Sequence, residues 1–439
     1  MEKLFFFTGL AIFFSYFVVR IVYQYVHWLH PFIRFFLVGS ITYGVVYGLA
    51  VGTDIIRKNA DIALDLMNQL YVDTEQVSSE RKYILIDIDN RTYKEWGMPL
   101  HMPRDKLRDI LKVVTSTKPM LIVVDIDLAF HGTDQKHDNE LATYIEQIKD
   151  NDRLIFMRAI DSSQSDTLRA KRFYFEDSSA NLKNWAIPLF EADDEDFKIR
   201  SWKLTQDVTL NGAHIEHKAP QVHAYLKVNN DTNNKPVNPD DHQRIIYSHT
   251  YNYDKDSIGK SKIGYVRISA GDLLNADTAS SNQFDGSIVI IGASHSLSHD
   301  RRRTPVGEMP GAMVILNAIK SMLTYGPMPR FSGGTSFIIF LALLVISGLM
   351  YSARSTSMPN GSKPRLLPTG IAPEVANLLA LTIKMFFINI IFIPISFYIL
   401  SYGFWSYIYL TFITLSFTYQ FLIKIELATV KNPEIGDIS

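Results

Sequence analysis

The chain has 439 residues, 44 basic against 45 acidic, with 47% hydrophobic residues, 12% aromatics and no cysteine. Its length suits two or three folding units. The even charge balance gives no footing for a nucleic-acid partner, which needs concentrated positive surface, and the missing cysteines exclude disulfides and thiolate metal sites.

Apolar residues crowd both ends, so the ends are read first against the roughly 20 apolar residues that a helix needs to cross a bilayer. Leu4 to Val19, continued by "RIVYQYVHWL", is one candidate span, although Arg20, Gln24, His27 and His30 also suit an amphipathic helix on the membrane surface. Phe32 to Val51 is a second. Phe337 to Tyr351, which is short, Met385 to Leu400 and Gly403 to Phe421 are three more.

Basic residues set the expected orientation. Arg20 and Arg34 lie between the first two spans, and Ala353 to Lys384 carries Arg354, Lys363, Arg365 and Lys384 against one acid, Glu374. The positive-inside rule puts both stretches in the cytoplasm and the large middle segment outside it. The expected layout is an N-terminal membrane region over 1–58, an extracytoplasmic domain over 59–333, three helical spans over 334–424 and a cytoplasmic tail over 425–439. The expected location is a bacterial inner membrane, crossed several times, with the large domain in the periplasm or extracellular.

In the middle, "YILIDID" (Tyr83 to Asp89) reads as a strand, and Leu107, Ile110, Leu111 and Val114 follow at helical spacing. "MLIVVDID" then reads as a second strand. Near-continuous apolar character in both predicts a parallel pair joined by a right-handed crossover. A helix with Leu141, Ile145 and Ile148 on one face, the strands "RLIFMRAI" and "GSIVIIGAS", and a helix from Gly311 to Leu323 complete the pattern. The expected fold class is an α/β domain, a mixed but largely parallel sheet with helices on both faces, beside an α-helical transmembrane region. From Arg172 to Tyr265 the pattern is looser, with a solvent loop at "KVNNDTNNKPVNPDD".

Asp87 and Asp89 end the first strand, Asp125 and Asp127 the second, and His131, Asp134, His137 and Asp138 follow on a loop. If the two strands are neighbours, four carboxylates meet at the carboxyl edge of the sheet, where open α/β folds bind ligands. Such oxygen-rich groups suit a divalent cation, with Asp87, Asp125, Asp127 and His131 as its ligands. The competing reading is that the acids cap helices and bond loop amides, and no metal-site spacing is present. "IGASHSLSHD" lacks the glycine that a serine nucleophile elbow needs, and "RRR" at 301–303 reads as a solvated turn or an anion contact.

The stretch from Phe284 to Leu323, "FDGSIVIIGASHSLSHDRRRTPVGEMPGAMVILNAIKSML", resembles the closing motif of the second type of CHASE domain, an extracellular sensory domain attached to cyclases and histidine kinases. The resemblance extends upstream through "VRISAGDLL", "KPMLIVVDIDLAF", "MPRDKL" and "ILIDID", over most of Asp65 to Gly326. It implies a sensor domain between an N-terminal span and three C-terminal ones, and maps the family's polar motif onto Asp87, Asp89, Pro103, Arg104, Asp125, Asp300, Thr304, Pro305 and Gly311. The chain departs from the family where Met313 and Ile315 stand in place of a glutamate and a histidine, and where only a short tail follows Ile423 instead of an output domain.

These readings give a non-enzymatic membrane sensor without a resident cofactor, whose candidate ligand-binding residues are Asp87, Asp89, Arg104, Asp125, Asp127, Asp300 and Thr304. Its expected partners are the lipid bilayer and a cytoplasmic or membrane protein, in a homo-oligomer or larger complex. The runner-up is a structural subunit of an envelope-spanning secretion, conjugation or motility complex. A metal-dependent periplasmic enzyme is the third reading.

Overall fold

A computed structural model describes residues 18–52, 82–161, 169–176, 185–210, 213–229, 242–253, 265–275 and 283–327, together with isolated residues between 61 and 72 and between 338 and 425. It divides into two compact units, Met1–Leu64 with Pro329–Ser439, and Asp65–Met328.

In the first unit a helical stretch at 18–26 turns at 27–29 into helix α1 (Pro31–Gly52). Pro31 opens α1 at a position whose N–H has no helical partner in any case. Arg34 closes the turn by donating to Leu29 O at 2.8 Å. Phe35 and Val38 are fully buried against Val19, Leu344 and Leu422, while Ile33, Leu37, Ile41 and Val45 run at four-residue intervals along an exposed face. Among the residues whose side chains are described, no helix is long and apolar enough to cross a membrane. The expected spans at Leu4 to Val19 and Met385 to Leu400, nearly all of Gly403 to Phe421 and the loop Ala353 to Lys384 lie outside the described residues.

The second unit is built on a six-stranded sheet in which every pairing is parallel. Its strands are β1 (Tyr83–Ile88), β2 (Leu121–Val124), β3 (Leu154–Met157), β6 (Trp185–Ala186), β12 (Tyr265–Ser269) and β13 (Ile288–Ala293), in the order β12-β1-β13-β2-β3-β6. Every residue of β1 and β2 is buried, because helices cover both faces and no side chain can turn to water. Short α2 (Asn90–Glu95), α3 (Arg104–Thr115), α4 (Gln135–Ile148) and short α6 (Ala270–Asn275) follow β1, β2 and β12, and α3 packs on both α4 and α6. The apolar spacing read from the sequence is used in full, since Leu107, Ile110, Leu111 and Val114 are all fully buried. α7 (Gly311–Tyr325) packs on β13 and β1 beside α5 (Pro220–Val228).

One expectation is corrected: β1 and β2 are not neighbours. β13 lies between them, aligning Tyr83 with Ile288 on one side and Ile288 with Leu121 on the other.

The looser stretch holds one small sheet and most of another. One orders β10 (Ala213–Lys218), β9 (Thr205–Leu210), β5 (Arg169–Ala170) and β4 (Ile160–Asp161); the other orders β11 (His242–Arg244), β8 (Ile199–Lys203) and β7 (Phe190–Ala192). Beyond β11, Ile245 N donates to Arg200 O on β8 at 2.9 Å and the strip 246–250 runs beside α7. Asn317 binds it there, its Oδ1 accepting from Ser248 N at 3.0 Å and His249 N at 2.9 Å and its Nδ2 donating to His249 O at 3.1 Å. The "RRR" turn is in fact strand β14 (Arg301–Thr304), paired with β15 (Gly307–Pro310) in a hairpin whose three arginines are exposed.

Candidate functional site

The carboxyl edge of the sheet is organised by a missing side chain. Gly292 on β13 aligns with Asp87 on β1, and a Cβ placed on it would lie 2.4 Å from Ala312 Cβ and 3.9 Å from Asp125 Cβ. An isolated glycine in an apolar strand marks a close approach, and here the first turn of α7 comes down onto the sheet. Asp87 and Asp125 therefore flank one slot across three strands, with the helix N-terminus between them.

Asp300 closes the slot from above. Its Oδ2 accepts from Gly311 N at 2.9 Å, and a Cβ on Gly311 would lie within 2.4 Å of that oxygen. The first N–H of a helix and the positive end of its dipole favour a carboxylate there. Arg302 holds Asp300 from the hairpin, with Nε at 3.0 Å and Nη2 at 2.9 Å from Oδ1. Burial and the neighbouring Asp300 push the Asp125 carboxyl up to about 8, against the pull of Arg302. Burial raises the Asp300 carboxyl as well, against the pull of Arg302, so the pair holds a proton more readily than free carboxylates and, with the guanidinium, forms a set that can both donate and accept hydrogen bonds.

Asp87, only 1% exposed, sits in its own polar knot. Its Oδ2 accepts from the Tyr251 hydroxyl and from Arg267 Nε, each at 2.6 Å, and Ser294 Oγ lies 2.7 Å from that hydroxyl. Arg267 also stacks on the Tyr251 ring at 4.6 Å. Burial lifts the Asp87 carboxyl above its usual range even beside Arg267. Tyr251 and Arg267 were not singled out in the sequence, whereas Arg302 belongs to the "RRR" run read there as a solvated turn or an anion contact. Arg267 gives the clearest local signal, a lone charge in the strand "YVRIS".

The other predicted residues go elsewhere. Asp89 caps α2 by accepting from Thr92 N at 2.8 Å. Asp127 is exposed and takes Ala129 N at 2.8 Å, while Asp134 caps α4 through Lys136 N. Thr304 is buried, with its hydroxyl donating to Gly307 O across the hairpin turn. Arg104, 2% exposed, lies under the loop after β2, donating to Phe130 O with Nε 3.5 Å from Asp138 Oδ1 and the Tyr174 ring at 5.2 Å. Asp138 accepts from Gly132 N at 2.9 Å, and His131 Nδ1 approaches it at 3.3 Å. Thus Asp87 and Asp125 share a slot, Asp89 and Asp127 are spent on local turns, and His131 belongs with Asp138. Among the described residues no three His, Asp or Glu side chains form a group able to hold a metal ion.

Met313 and Ile315, which replace the acid and histidine of the resembled motif, are fully buried in α7 and serve packing. His295 stacks on Tyr93 at 3.9 Å between ring centroids, and Ser294 serves the Tyr251 knot, so the two do not form a nucleophile and base.

No curated protein and no solved structure matches the chain. The model of the CHASE2 domain family does, over residues 42–350, which takes in the whole parallel sheet, both flanks of the slot and α7. The chain belongs to the CHASE2 domain family, a family of sensor domains.

Proposed function

We propose that the protein is a membrane-anchored sensor whose CHASE2 domain lies outside the cytoplasm of a bacterial cell. The domain binds a small polar ligand or a partner at the corner formed by Asp125, Asp300, Arg302 and the start of α7, and the resulting bias passes to a separate cytoplasmic or membrane protein. It works by recognition, without chemistry of its own. The family match across the α/β domain carries this reading.

The exposed apolar stripe Ile33, Leu37, Ile41 and Val45 supports the anchor, because a helix that is apolar on both its packed and its outer face suits lipid better than water. The mixed donor and acceptor set at α7 supports recognition of a ligand that carries both kinds of group. A binder that discriminates two states by about 1–3 kcal/mol is enough to drive such a relay.

Protease added to cells with a permeabilised outer envelope tests the orientation. Cleavage within 59–333 and protection of the loop Ala353–Lys384 is the expected pattern. The reverse pattern overturns the assignment of inside and outside.

A further inference from the structure

The α/β domain begins at Asp65, and the chain enters it through helical residues at 65, 68, 69 and 72. Asp65, Asn68 and Gln69 stand three and four positions apart, on one face of a helix. Each reaches a different part of the domain. Asp65 takes a two-pronged grip from Arg200 on β8, Nε to Oδ1 at 2.8 Å and Nη2 to Oδ2 at 2.7 Å, and Lys198 Nζ adds a third bond at 2.8 Å. Asn68 Oδ1 accepts from Tyr247 N at 2.9 Å, and Gln69 Nε2 donates to Pro305 O in the β14–β15 turn at 3.0 Å.

The three receivers are tied to one another. The Tyr247 hydroxyl donates to Ile199 O at 2.8 Å, a bridge pairs Lys198 with Arg303, and Asn317 holds the strip beyond Tyr247 to α7. The hairpin that receives Gln69 begins next to Asp300 and runs directly into α7. Arg200 is also gripped by Asp196, at 2.9 and 2.6 Å, and faces Asp193 at 3.6 Å, so its charge is shared among three carboxylates and its fork is held rigidly.

We propose that the Asp65, Asn68 and Gln69 face is a coupler that transmits the position of the hairpin and of the 242–253 strip to the segment by which the chain enters the domain. It deepens the sensor reading, on which it rests only for the direction of signal flow. A change at Asp300 that shifts the start of the hairpin loosens the entry segment without touching it.

Hydrogen exchange followed by mass spectrometry on the full chain in detergent tests this without any ligand. Asp65→Asn is expected to speed amide exchange at least about tenfold both in 61–72 and in 242–253, with β1 and β13 unchanged. Asp300→Asn is expected to speed exchange in 61–72. Gln69→Ala, at an exposed side chain, gives the same pattern where Asp65→Asn disturbs folding. The proposal is overturned if these entry-segment variants loosen only their own segment, or if Asp300→Asn leaves 61–72 as protected as before. A failed orientation test would leave the exchange pattern intact, so the two claims fail separately.

Discussion

Replacing Gly292 by alanine puts a methyl group where Ala312 already stands. The new Cβ would lie 2.4 Å from Ala312 Cβ and 3.9 Å from Asp125 Cβ, so α7 must retreat by about 1 to 1.5 Å to reach ordinary carbon contact. The retreat is resisted along the whole helix, where Ala312 through Met322 are all buried. Overpacking of this kind costs about 1–3 kcal/mol, and a helix fixed over its full length puts it near about 3. For a domain of this size that is a fall of about 6–12 °C in Tm. Thermal unfolding of the full chain in detergent, followed by tryptophan emission, is the assay. Adding Ala312→Gly removes the colliding methyl at a helix cost of about 1 kcal/mol, so the double variant should be more stable than Gly292→Ala alone by about 1–2 kcal/mol. A Tm within about 2 °C of the wild type, or a double variant less stable than the single one, would refute the close-approach argument.

Three further outcomes follow from the site and its supports. Burial and Asp300 push the folded Asp125 carboxyl up to about 8, against about 3.9 for an unfolded Asp, so the folded state keeps a proton that the unfolded state releases in between. Its stabilising effect is full below about pH 4 and is lost as pH rises towards 8; Tm of Asp125→Asn relative to wild type should climb from pH 5 to pH 8, and a flat difference would contradict it. Arg104→Ala strands the buried Asp138 and should cost about 3–5 kcal/mol in Tm-derived stability, with Arg104→Met plus Asp138→Asn recovering part of the loss. Asn317→Ala leaves the Ser248 and His249 amides without their acceptor, which should cost about 3 kcal/mol and speed exchange at those two amides.

Much of the domain was legible in the sequence because its signals are local. Continuous apolar runs marked β1, β2, β3 and β13, and four apolar residues at helical spacing marked α3. Strand order was not legible, since a parallel sheet is assembled from distant segments and nothing near Asp125 announces that β13 will separate it from Asp87. The convergence of Asp87 and Asp125 on one face does occur, but by way of Gly292, which the sequence showed only as a glycine in an apolar run. The competing reading of the acids holds for Asp89, Asp127 and Asp134, all spent on caps and loop amides. The small sheets drawn from Ile160 to Arg244 escaped because short strands with mixed polarity carry weak periodicity. Asn317 escaped because Ser248 and His249 lie far along the chain, and the Arg200 grip on the entry segment escaped because Asp65 does.

The place of β13 also constrains how the domain can be made. Tyr83 is paired with Ile288, so the middle of the sheet waits for almost the last segment of the domain to be synthesised. Long-range parallel pairing of this kind is slow to form. A chain made only as far as Phe284 has no β13 to join the β12–β1 pair to the β2–β3–β6 set, so the sheet cannot close across its middle.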